Sequence, residues 1–290
     1  MLTRAALGLL WLMHFLPAAM LARTGELIGL LFMLLSRERR KVVRTNLDLC
    51  FPELTRAQRK DLARAHFRAF GRAMAETTVA WWSNADKVRA LACVEGKEHF
   101  DNANRAGPVI VLAPHFVGVE ILAIRLSLEE NAQSMYSHQK NPVFDRFLVS
   151  RRTRFRDIRL ASRQDGIKQV VRRLKARLPL FFLPDMDFGP RDAVFVPFFG
   201  IPAATIDAVP RLAALTKAAV VPVLIAQQPG GQGYRIRFLP QWENYPTRDY
   251  RADTLRMNQF IEESVKAMPE QYYWVHKRFK TRPPGEERFY

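Results

Sequence analysis

The chain has 290 residues, 48% hydrophobic and 25% charged, which excludes a disordered polyelectrolyte and leaves room for one or two packed domains. Lys and Arg number 45 against 28 Asp and Glu, a formal net charge of +17. This balance points to a polyanionic partner: nucleic acid, anionic headgroups, a phosphorylated substrate or an acidic carrier protein. Two cysteines, Cys50 and Cys93, without CxxC spacing or a histidine cluster beside them, argue against a disulfide framework and a zinc site.

In chain order, Ala5 to Ala22 carry no charge and are interrupted only by His14 and Pro17. After Arg23 and Glu26, Leu27 to Leu35 is again apolar, and the basic run Arg37, Arg39, Arg40, Lys41 and Arg44 follows. Three readings place this segment at a membrane. A retained anchor is preferred over a cleaved signal peptide, because hydrophobicity resumes after Glu26. A pair of helices lying in the interface is the third. The basic run is expected on the cytoplasmic side, where it can also hold anionic headgroups. Residues 1–44 are therefore set apart as a membrane anchor with a basic juxtamembrane segment, and residues 45–290 as a single α/β domain.

Thr55 to Trp82 reads as a helix with Thr55 as N-cap and Ala63, Phe67, Phe70, Met74 and Trp81 near one face, a core-packing stripe. Pro108 to Ala113, Leu180 to Leu183 and Val220 to Ala226 are short continuous apolar runs, the pattern of strands buried on both faces. Val117 to Leu128, Asn141 to Phe155, Gln164 to Leu178, Ile206 to Ala218 and Thr254 to Met268 read as helices. After the Pro229-Gly230-Gly231 turn, Tyr234 to Leu239 alternates as a half-exposed strand should. Buried strands alternating with helices predict an α/β domain: a mixed, largely parallel sheet flanked by helices, preceded by an N-terminal membrane-associated helical segment.

The chemistry-bearing stretch is Ala113-Pro114-His115-Phe116-Val117-Gly118-Val119-Glu120, where a strand gives way to a helix. Ligand sites of α/β sheets gather at such edges. A neutral His115 can take a proton from an alcohol, with Glu120 on its other ring nitrogen fixing the tautomer. No Gly-x-Ser-x-Gly elbow supplies a nucleophile, so the attacking oxygen belongs to the substrate. Asp185 and Asp187 follow the second buried strand and should reach the same edge, where they need a cation or an arginine. The Asp-Phe-Gly string there is not a kinase motif, since no glycine-rich phosphate loop accompanies it. Arg151, Arg152, Arg154, Arg156 and Arg159 form a basic segment between the two, mostly a solvated face, with one or two able to pair with Asp185 or bind a substrate phosphate.

These residues resemble the late acyltransferases of lipid A biosynthesis, the lauroyl/myristoyl transferase family within the lysophospholipid-acyltransferase-like group. The resemblance runs through Asn46 to Leu54, the His115-(four residues)-Glu120 motif, Asn141 to Asp145, Pro184 to Pro190, Val194 to Gly200, Pro202 to Thr205 and Pro269 to Pro283. It implies an acyl-carrier-protein thioester as donor, a lipid A precursor as acceptor, His115 and Glu120 as the catalytic pair, and supporting roles for Arg152 and Asp185. It implies an enzyme of the inner (cytoplasmic) membrane whose catalytic domain faces the cytoplasm. The scheme requires no metal and no dissociable cofactor. A lysophospholipid O-acyltransferase is the alternative within the same chemistry. A basic membrane- or nucleic-acid-binding module is the non-enzymatic one, but no helix-turn-helix, zinc finger or RNA-binding signature supports a nucleic-acid partner.

Overall fold

The computed structural model describes residues 2–162, 166–191 and 193–290. Three helices open the chain: α1 (Leu2–Met13), α2 (Ala18–Leu35) and α3 (Arg37–Cys50). The uncharged run from Ala5 to Ala22 is thus not one helix: it breaks between Met13 and Ala18, where Pro17 supplies no N–H to continue α1. The helix long and apolar enough to cross a membrane is α2, with a mean hydropathy of 1.7 despite Arg23 and Glu26. It lies along α4 (Arg56–Trp82). Gly25 and Gly29 of α2 meet Gly71 of α4 so closely that a Cβ on Gly29 would stand 1.9 Å from the Phe67 carbonyl oxygen. Only glycine permits this approach, which presses one face of α2 onto the body while Leu27, Leu31, Leu34 and Leu35 stay exposed on another.

The α4 N-terminus is a capping box. Thr55 Oγ1 accepts from Gln58 N–H at 3.3 Å, and Gln58 Oε1 accepts from Thr55 N–H at 2.8 Å. Its interior is buried and long enough to carry Phe67, Arg72, Glu76 and Trp81 from the α2 contact toward the site.

The rest of the chain runs α5 (Ala85–Leu91), β1 (Ala92–Glu95), α6 (Lys97–Ala106), β2 (Val109–Leu112), α7 (Val119–Leu126), β3 (Ala132–Tyr136), α8 (Pro142–Arg152), β4 (Ile158–Ser162), α9 (Ile167–Lys175), β5 (Leu180–Phe182), β6 (Ala193–Phe198), β7 (Ile201–Ile206), α10 (Ala208–Thr216), β8 (Ala219–Gln227), β9 (Tyr234–Phe238) and α11 (Tyr250–Ala267). Seven strands form one sheet in the order β1-β9-β8-β2-β5-β3-β4, parallel throughout except for the antiparallel β8–β9 pair. β6 and β7 form a separate antiparallel hairpin. The expected mixed, largely parallel α/β sheet with an N-terminal apolar helix is what the chain adopts.

The expected Gln164–Leu178 helix is Ile167–Lys175 among the described residues; Gln164 lies outside them. The expected Val117–Leu128 helix starts two residues later, at Val119, and that shift matters below.

Two topological features place the site. The chain leaves β2 toward β3, but after β5 it turns back past β2 to β8, so the direction of winding reverses between the neighbours β2 and β5. Right-handed crossovers then put α7 and α8 on one face with α4, and α9 and α10 on the other, as their mutual contacts show. A crevice opens at such a switch point beyond the carboxyl ends of the strands. Pairing between β3 and β5 also stops after Ser134–Phe181, although both strands continue. The sheet parts there and leaves room between Met135 and Phe182.

Candidate active site

β2 and β5 run side by side in register, with Leu112 opposite Phe182. Three residues beyond each partner stand His115 and Asp185. Asp185 Oδ1 accepts from the His115 ring at Nδ1, 2.6 Å away, and Oδ2 accepts from the His115 backbone N–H at 2.9 Å. The Tyr272 hydroxyl lies near Asp185, and burial together with that charge pushes its pKa up. Asp185 is 1% exposed. Burial pushes its carboxyl pKa up, but the His115 ring and N–H and the Arg278 guanidinium outweigh burial and hold it below the usual range. An ionised carboxylate only accepts, so Nδ1 carries a ring proton and Nε2 is the ring nitrogen turned away from Asp185.

The expectation that Glu120 orients His115 is corrected. Phe116 bridges Tyr272, Val117 N–H donates to the Gln271 carbonyl, and Val117–Gly118 turn, so the chain just after His115 is not helical. α7 begins only at Val119, which sends the Glu120 carboxylate away to α8. There it receives Arg152 Nε at 3.0 Å on both oxygens and Nη2 at 2.5 Å, with Trp81 Nε1 at 3.3 Å. Arg152 Nη1 takes no part in that contact, and the guanidinium lies 5.6 Å over the Tyr136 ring. Burial lowers the Arg152 pKa while Glu120 raises it, with a net rise that keeps it charged.

Asp187, expected at the same edge, is buried in a different task. Its carboxylate accepts from Gly189 N–H (2.9 Å), Thr281 N–H (2.6 Å) and Thr281 Oγ1 (2.8 Å), and its own N–H donates to His276 Nε2 (2.9 Å). It ties the carboxyl-terminal segment to the β5 loop. His276 is held neutral, its pKa lowered to about 4 by burial first and then by His115 and Arg278. Of the remaining arginines of the basic segment, three serve the backbone, Arg151 reaching the Trp81 carbonyl, Arg154 the Ala80 and Ser83 carbonyls near the end of α4 and Arg156 the Leu128 carbonyl, while Arg159 pairs with the Asp157 carboxylate. Among the described hydrogen bonds and ion pairs, none of them reaches Asp185.

Residues that sequence reasoning gave no role complete the site. Tyr272, Tyr273 and Arg278 come from the carboxyl-terminal segment, whose Tyr273 N–H also donates to the His115 carbonyl at 2.9 Å. Tyr136 donates to Asp145, which also accepts from Gln139 N–H at 2.6 Å and faces His138 at 3.2 Å. These contacts lower the Asp145 pKa to about 2. The only signal for Tyr272, Tyr273, Arg278 and Asp145 was their place within the family strings, and Tyr136 lay outside them.

His115, Glu120, Arg152, Tyr136 and Tyr273 line a cavity of about 1440 Å³. Its other walls are largely apolar, including Leu122, Leu126, Met135, Leu148, Phe182 and Leu212. It straddles the carboxyl edge of the sheet, from Leu10, Phe70 and Met74 on the α1–α4 side to Ile167, Val171 and Leu215 on the α9–α10 side. The arrangement offers an imidazole held by a carboxylate and a fixed cation in a largely apolar cavity.

A family model described as bacterial lipid A biosynthesis acyltransferase matches residues 1–281. The chain is 33% identical to the lipid A biosynthesis lauroyltransferase of Escherichia coli K12, over 98% of this chain and 93% of the relative. It is 33% identical to the palmitoleoyltransferase of the same strain, over 100% and 94%, and 34% identical to its myristoyltransferase, over 92% and 81%. A crystal structure of a 1-acyl-sn-glycerophosphate acyltransferase from Thermotoga maritima aligns over 80% of this chain and 99% of that one, at 13% identity and a TM-score of 0.41. With a family model spanning nearly the whole sequence and relatives matched along their length, the chain belongs to the bacterial lipid A biosynthesis acyltransferase family.

Proposed function

We propose that the protein moves a fatty acyl group from an acyl-carrier-protein thioester to a hydroxyl of a lipid A precursor, at the cytoplasmic face of the inner membrane. The observation that carries this reading is the His115–Asp185 pair at the mouth of the apolar cavity. Asp185 fixes the Nδ1–H tautomer, so Nε2 is the base. The acceptor hydroxyl gives its proton to Nε2 as its oxygen attacks the thioester carbonyl. The tetrahedral intermediate collapses, the C–S bond breaks, and the imidazolium returns the proton to the departing sulfur. The products are an ester and the free carrier thiol.

Glu120 acts through Arg152. It holds the guanidinium in one orientation by the paired contact, leaving Nη1 to stabilise the oxyanion or a phosphate of the acceptor. The cavity takes the acyl chain. The exposed apolar face of α1 and α2, with Leu9, Leu12, Phe15, Leu27, Leu31 and Leu35, enters the bilayer, where the acceptor resides. The basic run of α3 follows directly and meets anionic headgroups.

Purified protein is assayed with acyl-carrier protein against both a lipid A precursor and a lysophospholipid. Turnover confined to the first acceptor, abolished in His115→Ala, is the expected result. Turnover confined to the lysophospholipid overturns the acceptor, and an undiminished rate in His115→Ala overturns the mechanism.

A further inference from the structure

The cavity has a second rim, across the sheet from the membrane-facing helices. Ile167 at the start of α9 and Leu215 on α10 line it, yet they are 46% and 57% exposed. Phe188 and Arg191, from the loop after β5, line the same rim, and the bare apolar side chains there are Ile167 and Leu215. A soluble protein seldom leaves large apolar side chains bare around an opening unless something covers them.

The surroundings indicate what covers them. α9 buries Val170 and Leu174 and turns Lys168, Arg172 and Lys175 to solvent. Lys168 and Arg172 each follow by one residue a side chain of the cavity wall, Ile167 and Val171. From Gly166 to Arg177 the sequence has five basic residues and no acidic one. Some exposed cations elsewhere have partners, such as Arg235 and Arg237 with Glu95, while others, such as Lys41, Arg44 and Lys60 near the membrane-facing helices, enter none of the described salt bridges. Among the described salt bridges, none involves Lys168, Arg172, Lys175 or Arg191. Asp207, the carboxylate nearest this rim in the cavity lining, is buried and pairs with Arg211 at 2.7 Å.

We propose that this α9–α10 rim is the docking surface for the acidic carrier protein that brings the thioester. The inference rests on the donor assigned above and adds where that donor binds. Lys168 and Arg172 meet acidic side chains of the carrier, and Ile167 and Leu215 pack against its apolar contact points. The flexible thioester arm then enters between them toward His115. The acceptor enters from the other side of the sheet, past Leu10, Phe70 and Met74, so the two substrates do not compete for one entrance. An anionic lipid is the other polyanion to weigh, but the apolar face suited to a bilayer lies on α1 and α2, which pack on α4 on the opposite face of the sheet.

The test compares two donors of equal chain length, acyl-carrier protein and the neutral acyl-pantetheine. In the Lys168→Glu/Arg172→Glu variant, kcat/KM for acyl-carrier protein should fall about 10- to 100-fold, mostly through KM, because steering charge is reversed. The rate with acyl-pantetheine should stay at the wild-type value, which also reports that the variant is folded. Unchanged KM for acyl-carrier protein overturns the docking site. An equal loss with both donors, accompanied by weaker binding to vesicles containing anionic lipid, overturns it in favour of a lipid contact. Failure of the wild type to use acyl-carrier protein at all, with acyl-pantetheine accepted, instead overturns the donor assignment on which the site rests.

Discussion

The loop after β2 and the loop after β5 each bring two acidic or basic candidates to the same edge of the sheet, and each divides its pair between two tasks. The first holds His115 at the crevice and lets Glu120 ride α7 to Arg152. The second gives Asp185 to His115 and turns Asp187 inward to Thr281 and Gly189. His115 and Asp185 therefore pair across 70 residues of chain, Glu120 and Arg152 across 32, and Asp187 and Thr281 across 94, while neighbours within one loop do not pair with each other. Register explains this. Hydrogen-bonded parallel strands deliver equivalent positions to equal height, so residues three beyond Leu112 and three beyond Phe182 meet.

The largest expected effect separates the two carboxylates. Asp185→Asn keeps the shape but presents an amide to Nδ1, which disfavours the reactive tautomer. A loss of about 10³- to 10⁴-fold in kcat is expected, as for the orienting carboxylate of a serine-protease triad. Removing Glu120 leaves the imidazole held. Glu120→Gln should cost about 10- to 100-fold through a loosened Arg152, and Arg152→Ala about 100-fold, the scale of one lost charge-stabilising donor. Because Glu120 is assigned to act only through Arg152, the double variant should be no worse than Arg152→Ala alone, whereas Asp185→Asn and Arg152→Ala should multiply. Kinetics of the three single and two double variants decide the matter. A Glu120→Gln defect as deep as Asp185→Asn, or undiminished in the Arg152→Ala background, would return Glu120 to the imidazole.

The motif His-(four residues)-Glu was visible in the sequence, but its geometry was not. Periodicity predicted a helix from Val117; tertiary bonds to Gln271 and Tyr272 instead hold Phe116 in a bridge and Val117–Gly118 in a turn, and no local pattern reports a bridge between Phe116 and the distant Tyr272. β2, β5 and β8 were legible because burial on both faces demands unbroken apolar runs. β3 (Ala-Gln-Ser-Met-Tyr) and β4 (Ile-Arg-Leu-Ala-Ser) were not, because they close the sheet's edge with polar side chains interspersed. Missing them hid the reversal of winding between β2 and β5, and with it the pairing of His115 with Asp185. Asp185 and Asp187 look alike in sequence, and only the fold tells that one faces a ring and the other a backbone.

That last distinction can be sharpened by stability rather than rate. Asp187→Ala strips acceptors from Thr281 and Gly189 in a buried setting and should destabilise the fold by about 3 kcal/mol. The carboxyl-terminal segment it anchors also carries Tyr272 and Tyr273, so chemical denaturation is the cleaner readout, with kcat per folded molecule changing far less than in Asp185→Asn. Equal stability with a lost rate would mean that Asp187 belongs to the chemistry after all.

The mildest effect concerns acid. His66 is buried with Nδ1 against the Glu270 carbonyl at 3.1 Å, and the half-buried His276, within the carboxyl-terminal segment itself, accepts from the Asp187 N–H. Burial lowers the pKa of each to about 4 from an ordinary 6.5. Between those values the unfolded chain takes up protons that the folded chain refuses. Stability from these groups is therefore full above pH 6.5 and is lost as pH falls toward 4, up to about 3 kcal/mol for each histidine. A carboxylate such as Asp185, lowered below its usual range, loses its contribution only at still lower pH, so the two classes act in separate windows. His276→Gln keeps an acceptor for the Asp187 N–H and cannot titrate. Denaturation midpoints of wild type and variant, measured from pH 7.5 to 4.5, should diverge steadily below pH 6.5, with the wild type falling faster. Parallel curves would show that His276 is charged or solvated in the folded protein, and that the segment beneath Asp187 is held less tightly than the loop beneath His115.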